Sequence, residues 1–238
     1  MKKVIVFASF LVIISSCQNT LTSEQILENA IAYHDPESEW PSFNGTLNVT
    51  METPKQTNRE SEIIINLPED YFYVKAVRDT LKTEYTLDKG KCTIALNGKT
   101  ELSKSELFSN GLTCDRAKMY SNYYTYLYGL PMKLKDPGTN IESEYEIKTF
   151  KGKEYLVIKA TYDETVGSDI WYFYFDPETY AMEIYQFFKT DESGNMIDDS
   201  GEYILLTDET IVSNIKMPKV RAWYYNKDDG YLGTDTLN

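Results

Sequence analysis

Histidine and cysteine are scarce in this chain of 238 residues, which contains one histidine, His34, and three cysteines. That scarcity excludes most histidine-based catalysis and any metal cluster rich in cysteine and histidine. An excess of positive charge is also missing, because 24 Lys and Arg stand against 37 Asp and Glu, a net charge of −13. Binding to nucleic acid depends on clustered cations that release counterions, so we expect no nucleic-acid partner.

A long apolar run is absent as well, since the stretch at residues 4–14 is too short to span a bilayer as a mature helix. Lys2 and Lys3 precede this stretch and Ser15-Ser16-Cys17 follows it, which is the order of a secretory signal peptide ending in a lipobox. We therefore predict a signal peptide at residues 1–16, a lipidated tether at 17–22 and one domain at 23–238. The alternative is a plain signal peptide with an incidental Cys17.

Lipidation of Cys17 would make the membrane a partner of this protein through its acyl chains. Removal of residues 1–16 takes away two lysines and changes the net charge from −13 to −15, so the body of the protein should avoid anionic headgroups. Two or three acyl chains give stable anchoring, whereas one chain gives only marginal binding. Gln18 follows the cysteine, and by resemblance to Gram-negative lipoproteins this predicts the outer membrane, facing the periplasm.

Cys92 and Cys114 are the two cysteines that remain after lipidation. An oxidising compartment permits a disulfide between them, and closing this loop would stabilise the fold by roughly 3 kcal/mol. Two buried free thiols are the alternative. A metal site is not expected, because no histidine lies near either cysteine.

Hydrophobic periodicity predicts a mainly β domain with three helices. The helices are expected at residues 21–34, where Thr22 and Gln25 are placed for a capping box, and at 105–110 and 114–128. Asn97-Gly98 is a strong hairpin signal. The predicted strands are 43–51, 61–66, 71–77, 83–87, 91–96, 144–150, 154–162, 169–176, 181–189, 201–207, 210–217 and 220–226.

Such an order of elements predicts a single antiparallel meander, because no helices intervene within either run of strands. A sheet of about 11–12 strands curls as its twist accumulates, so we expect an α+β half-barrel. The N-terminal helix and the two central helices should then plug its concave face, where they can bury their apolar stripes.

Four segments of the chain resemble a family of uncharacterised Gram-negative lipoproteins, a domain of unknown function with a LolA/LolB-like lipoprotein-carrier fold. The segments are Tyr33-His34-Asp35-Pro36, residues 171–180, residues 217–224 and Gly233-Thr234-Asp235. The resemblance spans about residues 23–238. It implies a half-barrel of about eleven antiparallel strands whose mouth is plugged by helices and whose apolar cavity binds acyl chains. Likeness of fold does not establish function.

The third predicted helix is rich in tyrosine. Tyr120, Tyr123, Tyr124 and Tyr128 recur at helical spacing and share one face, while Tyr126 points elsewhere. One interpretation is a helix that packs on the sheet through amphipathic rings. The other is a lid over a cavity, with the rings against a lipid chain and the hydroxyls in water or bonded to neighbours.

Residues 171–175 form an entirely aromatic strand. Alternation places Trp171, Phe173 and Phe175 on one face and Tyr172 and Tyr174 on the other. Both faces should therefore be covered, either by helices on both sides or by helices on one side and a pocket on the other.

Arg221, Trp223 and Tyr225 alternate on one face of the last predicted strand. Arg221 is suited to hold a carboxylate or phosphate headgroup with two parallel hydrogen bonds, although an ion pair with an acidic neighbour is the commoner arrangement. His34 ends the first helix, where a structural, hydrogen-bonding role is favoured over half of a catalytic dyad, because no nucleophile motif accompanies it.

The sequence therefore predicts a monomeric, membrane-anchored lipoprotein that binds an apolar ligand, a lipid or acyl chain, without covalent chemistry, cofactor or metal. The predicted ligand-binding residues are Tyr120, Tyr123, Tyr124, Tyr128, Trp171, Phe173, Phe175, Arg221 and Trp223. The alternative is a structural or interaction module of the outer membrane whose barrel is filled by its own side chains and whose acidic surface meets a basic partner of unknown identity. An enzyme is disfavoured, because no nucleophile, base and orienting group can be recognised together.

Overall fold

The computed structural model describes residues 21–238, so the predicted signal peptide and Cys17 lie outside the described residues. Three α-helices are present there: α1 (Ser23–His34), α2 (Lys104–Ser109) and α3 (Cys114–Gly129). The strands of the same region are β1 (Asn44–Thr53), β2 (Gln56–Asn66), β3 (Tyr71–Arg78), β4 (Leu81–Asp88), β5 (Lys91–Leu96), β6 (Thr139–Ile141), β7 (Glu146–Phe150), β8 (Lys153–Tyr162), β9 (Ile170–Phe175), β10 (Met182–Phe188), β11 (Glu202–Val212), β12 (Ile215–Tyr225) and β13 (Tyr231–Leu237).

All thirteen strands of this region belong to one antiparallel, curled and open sheet, whose order is β5-β4-β3-β2-β1-β13-β12-β11-β10-β9-β8-β6, with β7 also paired to β8. The two halves of the meander meet where β1 pairs with β13, at Val49 opposite Leu237. The predicted mainly β fold with an N-terminal helix and two central helices is confirmed. Among residues 21–238, no helix combines the length and apolarity that crossing a membrane requires.

Local signals in the sequence explain where the helices begin. The predicted capping box at α1 is present, because the Thr22 hydroxyl accepts a hydrogen bond from the Gln25 N–H and the Gln25 side chain accepts one from Thr22. Ser103 and Glu106 form the same box at α2, and the Thr113 hydroxyl caps α3. Pairing of this kind satisfies backbone N–H groups that a helix start leaves without partners.

Four details of the strand prediction differ from the structure. Short β6 and C-terminal β13 were missed. Two long strands, β11 and β12, replace the three strands predicted at 201–207, 210–217 and 220–226. They are joined by a turn at Ser213-Asn214, where both residues adopt positive φ. Pro218, which lies between two of the predicted strands, is inside β12 opposite Glu209. Asn97-Gly98 does form a tight turn, yet only a single bridge from Leu96 to Lys99 follows it, because the chain then enters α2.

Helices α1 and α3 pack side by side on one face of the sheet, which we call the inner face. Tyr124 and Tyr128 of α3 pack against the β1–β5 half, in a core that includes Phe72 and Tyr85. The second half of the core is formed by α1 against β8–β11. Its fully buried members include Ile26, Leu27, Ala30, Ile158, Phe173, Phe175, Tyr185 and Ile204.

The opposite face of the aromatic strand β9 is covered neither by a helix nor by a pocket. The tip of the β7–β8 hairpin lies over it, with the Phe150 ring 5.6 Å from that of Tyr174 and 5.2 Å from that of Tyr203. Lys148, also on β7, places its ammonium 4.4 Å from the Tyr172 ring centre. A strand with aromatic residues on both faces is therefore explained by a helix inside and a folded hairpin outside.

His34 joins α1 to two strands and has the structural role that the sequence favoured. Its Nε2 accepts a hydrogen bond from the backbone N–H of Met182 at 3.0 Å, so its Nδ1 carries the proton and donates to the Lys216 carbonyl at 2.9 Å. Burial lowers the pKa of His34, which keeps the ring neutral. Both ring nitrogens are occupied, so this histidine is not placed to act as a base.

Candidate ligand-binding site

The tyrosines of α3 divide into two groups. Tyr120, Tyr124 and Tyr128 stack one above another, with ring centres 6.0 and 6.3 Å apart, and Tyr124 also stacks on Phe72 of the sheet at 6.5 Å. Tyr124 and Tyr128 are each only 2% exposed. This stack therefore anchors the helix to the inner face by ring packing, which was the first of the two interpretations of the sequence.

Tyr126 lies on the other flank of α3, where its role was not foreseen. Its hydroxyl is hydrogen-bonded to that of Tyr162 on β8, and its ring meets the Trp171 ring edge to face at 5.7 Å. Tyr123 leans the other way and stacks on Trp223 at 6.4 Å. Burial raises the pKa of Tyr123 and of Tyr126 well above the ordinary tyrosine value, so both remain neutral.

Two clefts open along α3. The larger, which we call the α3 cleft, has a volume of about 740 Å³ and separates the helix from the end of β8 and the loop that leads to β9. Its lining includes Tyr123, Tyr126, Tyr162 and Trp171. The smaller, the β13 cleft, has a volume of about 270 Å³ and is lined by Met51, Thr53, Tyr123, Glu202, Trp223, Leu232, Gly233, Thr234 and Asp235. Tyr123 borders both clefts.

Of the residues predicted to bind a ligand, Tyr123, Trp171 and Trp223 line these clefts. The other six line neither of the two: Tyr120, Tyr124, Tyr128, Phe173, Phe175 and Arg221. Phe173 and Phe175 are fully buried beneath α1 instead. Tyr126, Tyr162 and Asp235 line the clefts but were not predicted from the sequence. Only Tyr126 had a signal in the sequence, because its helical spacing separates it from the other tyrosines of α3.

Arg221 lies inside the protein, with 1% of its surface exposed. Its Nη1 donates a hydrogen bond to the Pro218 carbonyl at 3.0 Å, and its guanidinium carbon lies 4.0 Å from the centre of the Tyr128 ring. Asp235 of β13 pairs with Arg221 in the strand register and is also buried. Burial raises the pKa of Asp235, although Arg59 and Arg221 oppose that shift.

A third cleft of about 470 Å³ lies beside His34 and contains several carboxylates. Three of the four are engaged in contacts with neighbouring side chains: Lys153 bridges Asp176 and Glu183, at 2.7 Å from each. Glu209 accepts a hydrogen bond from the Tyr33 hydroxyl at 2.8 Å. Residues 21–238 contain no group of three or more His, Cys, Asp and Glu side chains arranged to hold a metal ion.

A disulfide links α3 to the edge of the sheet. Cys92 of β5 and Cys114, the first residue of α3, form a disulfide with their Cα atoms 5.9 Å apart. This bond ties the beginning of the tyrosine helix to the edge strand of the sheet. The position of α3, and with it the width of both clefts, is therefore constrained covalently at one end.

Comparison with solved structures identifies proteins of similar architecture and very different sequence. The chain is similar to a LolA superfamily protein from Nitrosomonas europaea, with 10% identity, a TM-score of 0.49 and 92% of each chain covered. It is also similar to a DUF1329 family protein from Desulfovibrio piger, with 7% identity, a TM-score of 0.50 and 90% of each chain covered. At such identities the likeness concerns the fold alone.

No curated protein matches the sequence. The sequence resemblance predicted membership of an uncharacterised family with a domain of unknown function. A family model, described as a family of unknown function (DUF6503), matches residues 2–238, which is nearly the whole chain. The chain therefore belongs to the DUF6503 family, and the predicted membership is confirmed.

Proposed function

We propose that this protein binds an apolar ligand, a lipid or acyl chain, without covalent chemistry in the clefts that flank α3. The observation that carries the proposal is the pair of clefts meeting at Tyr123, with Trp171 in one wall and Trp223 in the other. Ligand sites are typically concave and about 300–1,000 Å³ in volume, a range that includes the 740 Å³ of the α3 cleft. The wall of this cleft combines aromatic rings with polar and charged side chains, such as those of Lys133 and Asp136. Tyrosine and tryptophan suit such a wall, because each presents an apolar ring and one polar atom.

The position of the clefts refines the earlier expectation of a cavity under the helix. Self-packed side chains fill the space directly beneath α3, since Tyr124, Leu127 and Tyr128 are all buried against the sheet. An apolar chain would therefore lie beside the helix and against its flanks. Tyr123 and Tyr126, which both line the α3 cleft, are the residues placed to contact it.

Anchoring remains part of the proposal. Diacylation of Cys17 would hold the domain at the outer membrane, facing the periplasm, and would place the clefts close to a source of lipid. The described domain has no need of a cationic membrane-binding surface in that arrangement. We propose a monomer, because the sheet and its helices complete their core within one chain.

A second candidate function is a structural or interaction module, and the filled interior favours it. Phe173, Phe175 and Tyr185 are fully buried in the core that α1 forms with the sheet. On that account the clefts beside α3 are surface grooves, and the acidic surface would meet a basic partner. Direct detection of ligand contact distinguishes the two candidates.

Contact can be detected with a long-chain fatty acid that carries bromine atoms, which quench tryptophan emission at short range. We expect the acid to quench the full-length protein, because Trp171 and Trp223 line the clefts. Quenching should fall in Trp171→Phe and Trp223→Phe variants but persist in Trp40→Phe, since Trp40 is buried in the β1–β5 core away from both. Emission that the acid leaves unchanged, or quenching that survives in the double variant at 171 and 223, would favour the structural module.

A further inference from the structure

Beneath the β13 cleft, the inner face holds a cluster of buried polar groups with more donors than acceptors. Within residues 21–238, the buried donor atoms there that lack a hydrogen-bond partner include Nε and Nη2 of Arg221, Nε of Arg59, Nε1 of Trp223 and the hydroxyls of Tyr185 and Thr53. The one unpaired buried carboxylate oxygen beside them is Oδ1 of Asp235. Buried polar groups are normally paired, since leaving one unpaired costs about 1–3 kcal/mol, so a group of this size indicates a ligand that accepts hydrogen bonds.

The cluster also carries an excess positive charge. Asp235 lies between two cations in the sheet. On one side its register partner is Arg221 of β12. On the other side its partner is Met51 of β1, and Met51 in turn pairs with Arg59 of β2. Two guanidiniums therefore share one carboxylate. Within the described chain, no carboxylate oxygen lies within 4.0 Å of Arg221, so no ion pair compensates its buried charge.

The free side of Arg221 has the geometry that recognises an anion. Nη1 is occupied by the Pro218 carbonyl, and the flat face of the guanidinium is covered by the Tyr128 ring. Nε and Nη2, the two unpaired nitrogens, lie along the same edge and point their N–H bonds in parallel. That edge is the one through which arginine holds both oxygens of a carboxylate or phosphate.

The β13 cleft lies next to Arg221, because its register partner Asp235 is in the wall of the cleft, although Arg221 itself does not line it. Trp223 lies two residues beyond Arg221 on the same strand, and both Trp223 and Asp235 line the cleft. The Tyr185 hydroxyl lies close to Arg221 and the Trp223 indole close to Asp235, but neither contact has the geometry of a hydrogen bond. A ligand in the β13 cleft therefore contacts Trp223 and Asp235, and Arg221 is the strand neighbour of Asp235.

We propose that the Nε–Nη2 edge of Arg221 binds the single anionic group, a carboxylate or a phosphate, of a ligand whose apolar part occupies the clefts beside α3. This inference rests on the proposed function and narrows its ligand class to apolar chains with one anionic end. Arg59 and Arg221 share the single negative charge of Asp235, which leaves one positive charge for the ligand. Trp223 and Tyr185 supply further donors around the anion.

The test compares ligands that share one chain on the full-length protein. Oleate should bind about 10- to 100-fold more tightly than oleyl alcohol, as expected for two charge-assisted hydrogen bonds. Arg221→Gln should remove that difference, Arg221→Lys should retain part of it, and Lys219→Gln, which removes an exposed cation of the same strand, should leave it unchanged. Acetate and inorganic phosphate, tested alone, show whether a free anion is the natural occupant.

Each outcome separates this inference from the proposed function. Equal affinity of the wild-type protein for oleate and oleyl alcohol would overturn the role of Arg221 and leave apolar binding intact, even if the Arg221→Gln variant did not fold. Binding of neither would overturn both proposals. Arg221-dependent binding of acetate or phosphate without any binding of oleate would support the anion site and overturn the apolar ligand.

Discussion

Replacing Phe173 by alanine should lower the free energy of unfolding by about 3–5 kcal/mol. The Phe173 ring is fully buried, stacks at 6.0 Å on Trp171 and belongs to the core that α1 forms with β8–β11. Its removal would cost the transfer free energy of the ring and leave a cavity that tightly packed neighbours cannot fill. A loss of this size is a large fraction of the total stability of a domain, which is about 5–15 kcal/mol.

Urea denaturation followed by circular dichroism measures this change. Phe108→Ala is the matched control, because Phe108 lies on α2 with 89% of its surface exposed, and its replacement should change the stability by less than about 0.5 kcal/mol. If Phe173→Ala were as stable as that control, Phe173 would have to line an open cavity, which was the sequence-based expectation. The structure instead predicts a core residue.

Removing the Cys92–Cys114 disulfide should lower the free energy of unfolding by about 3 kcal/mol in the chain-entropy model. The two cysteines are 22 residues apart in the chain, and the unfolded state gains conformational freedom when the loop between them is released. The Cys92→Ala/Cys114→Ala double variant and the wild-type protein in reductant should therefore unfold at similar, lower urea concentrations.

Reductant should not change the urea midpoint of the double variant. This variant is therefore the control for any effect of reductant other than reduction of the Cys92–Cys114 disulfide. Peptide mapping after maleimide treatment gives an independent result, since neither Cys92 nor Cys114 should be labelled in the unreduced wild-type protein. Labelling of both, or a wild-type midpoint that reductant does not move, would show that the bond is absent from the protein in solution.

Local structure was the part of the fold that the sequence predicted best. The capping box of Thr22 and Gln25 and the helix beginning at Cys114 depend on neighbouring residues, and each was correctly placed. The errors arose where tertiary context decides. Pro218 normally argues against a strand interior, yet neighbours on both sides keep β12 extended through it. Gly233 and the threonines around it gave β13 a weak pattern, although it is the strand that joins the two halves of the sheet.

The candidate site was harder to predict, because it is formed by residues far apart in the chain. Helical spacing grouped Tyr120, Tyr123, Tyr124 and Tyr128 on one face; three of them stack together, but Tyr123 stacks on Trp223 instead. Spacing along one helix also could not show the clefts beside α3. Arg221 was recognised as a ligand-binding candidate from its own strand. Its neighbour Asp235 was not, since it lies on the strand that had been missed.

The central claim, that the clefts beside α3 hold an apolar ligand, is tested most directly by native mass spectrometry of the protein purified without detergent. We predict a species heavier than the protein by the mass of one lipid, which is lost under denaturing conditions, whereas acyl chains on Cys17 would remain. Only the mass of the protein without ligand, together with a melting temperature that neither fatty acid nor phospholipid raises, would contradict the claim.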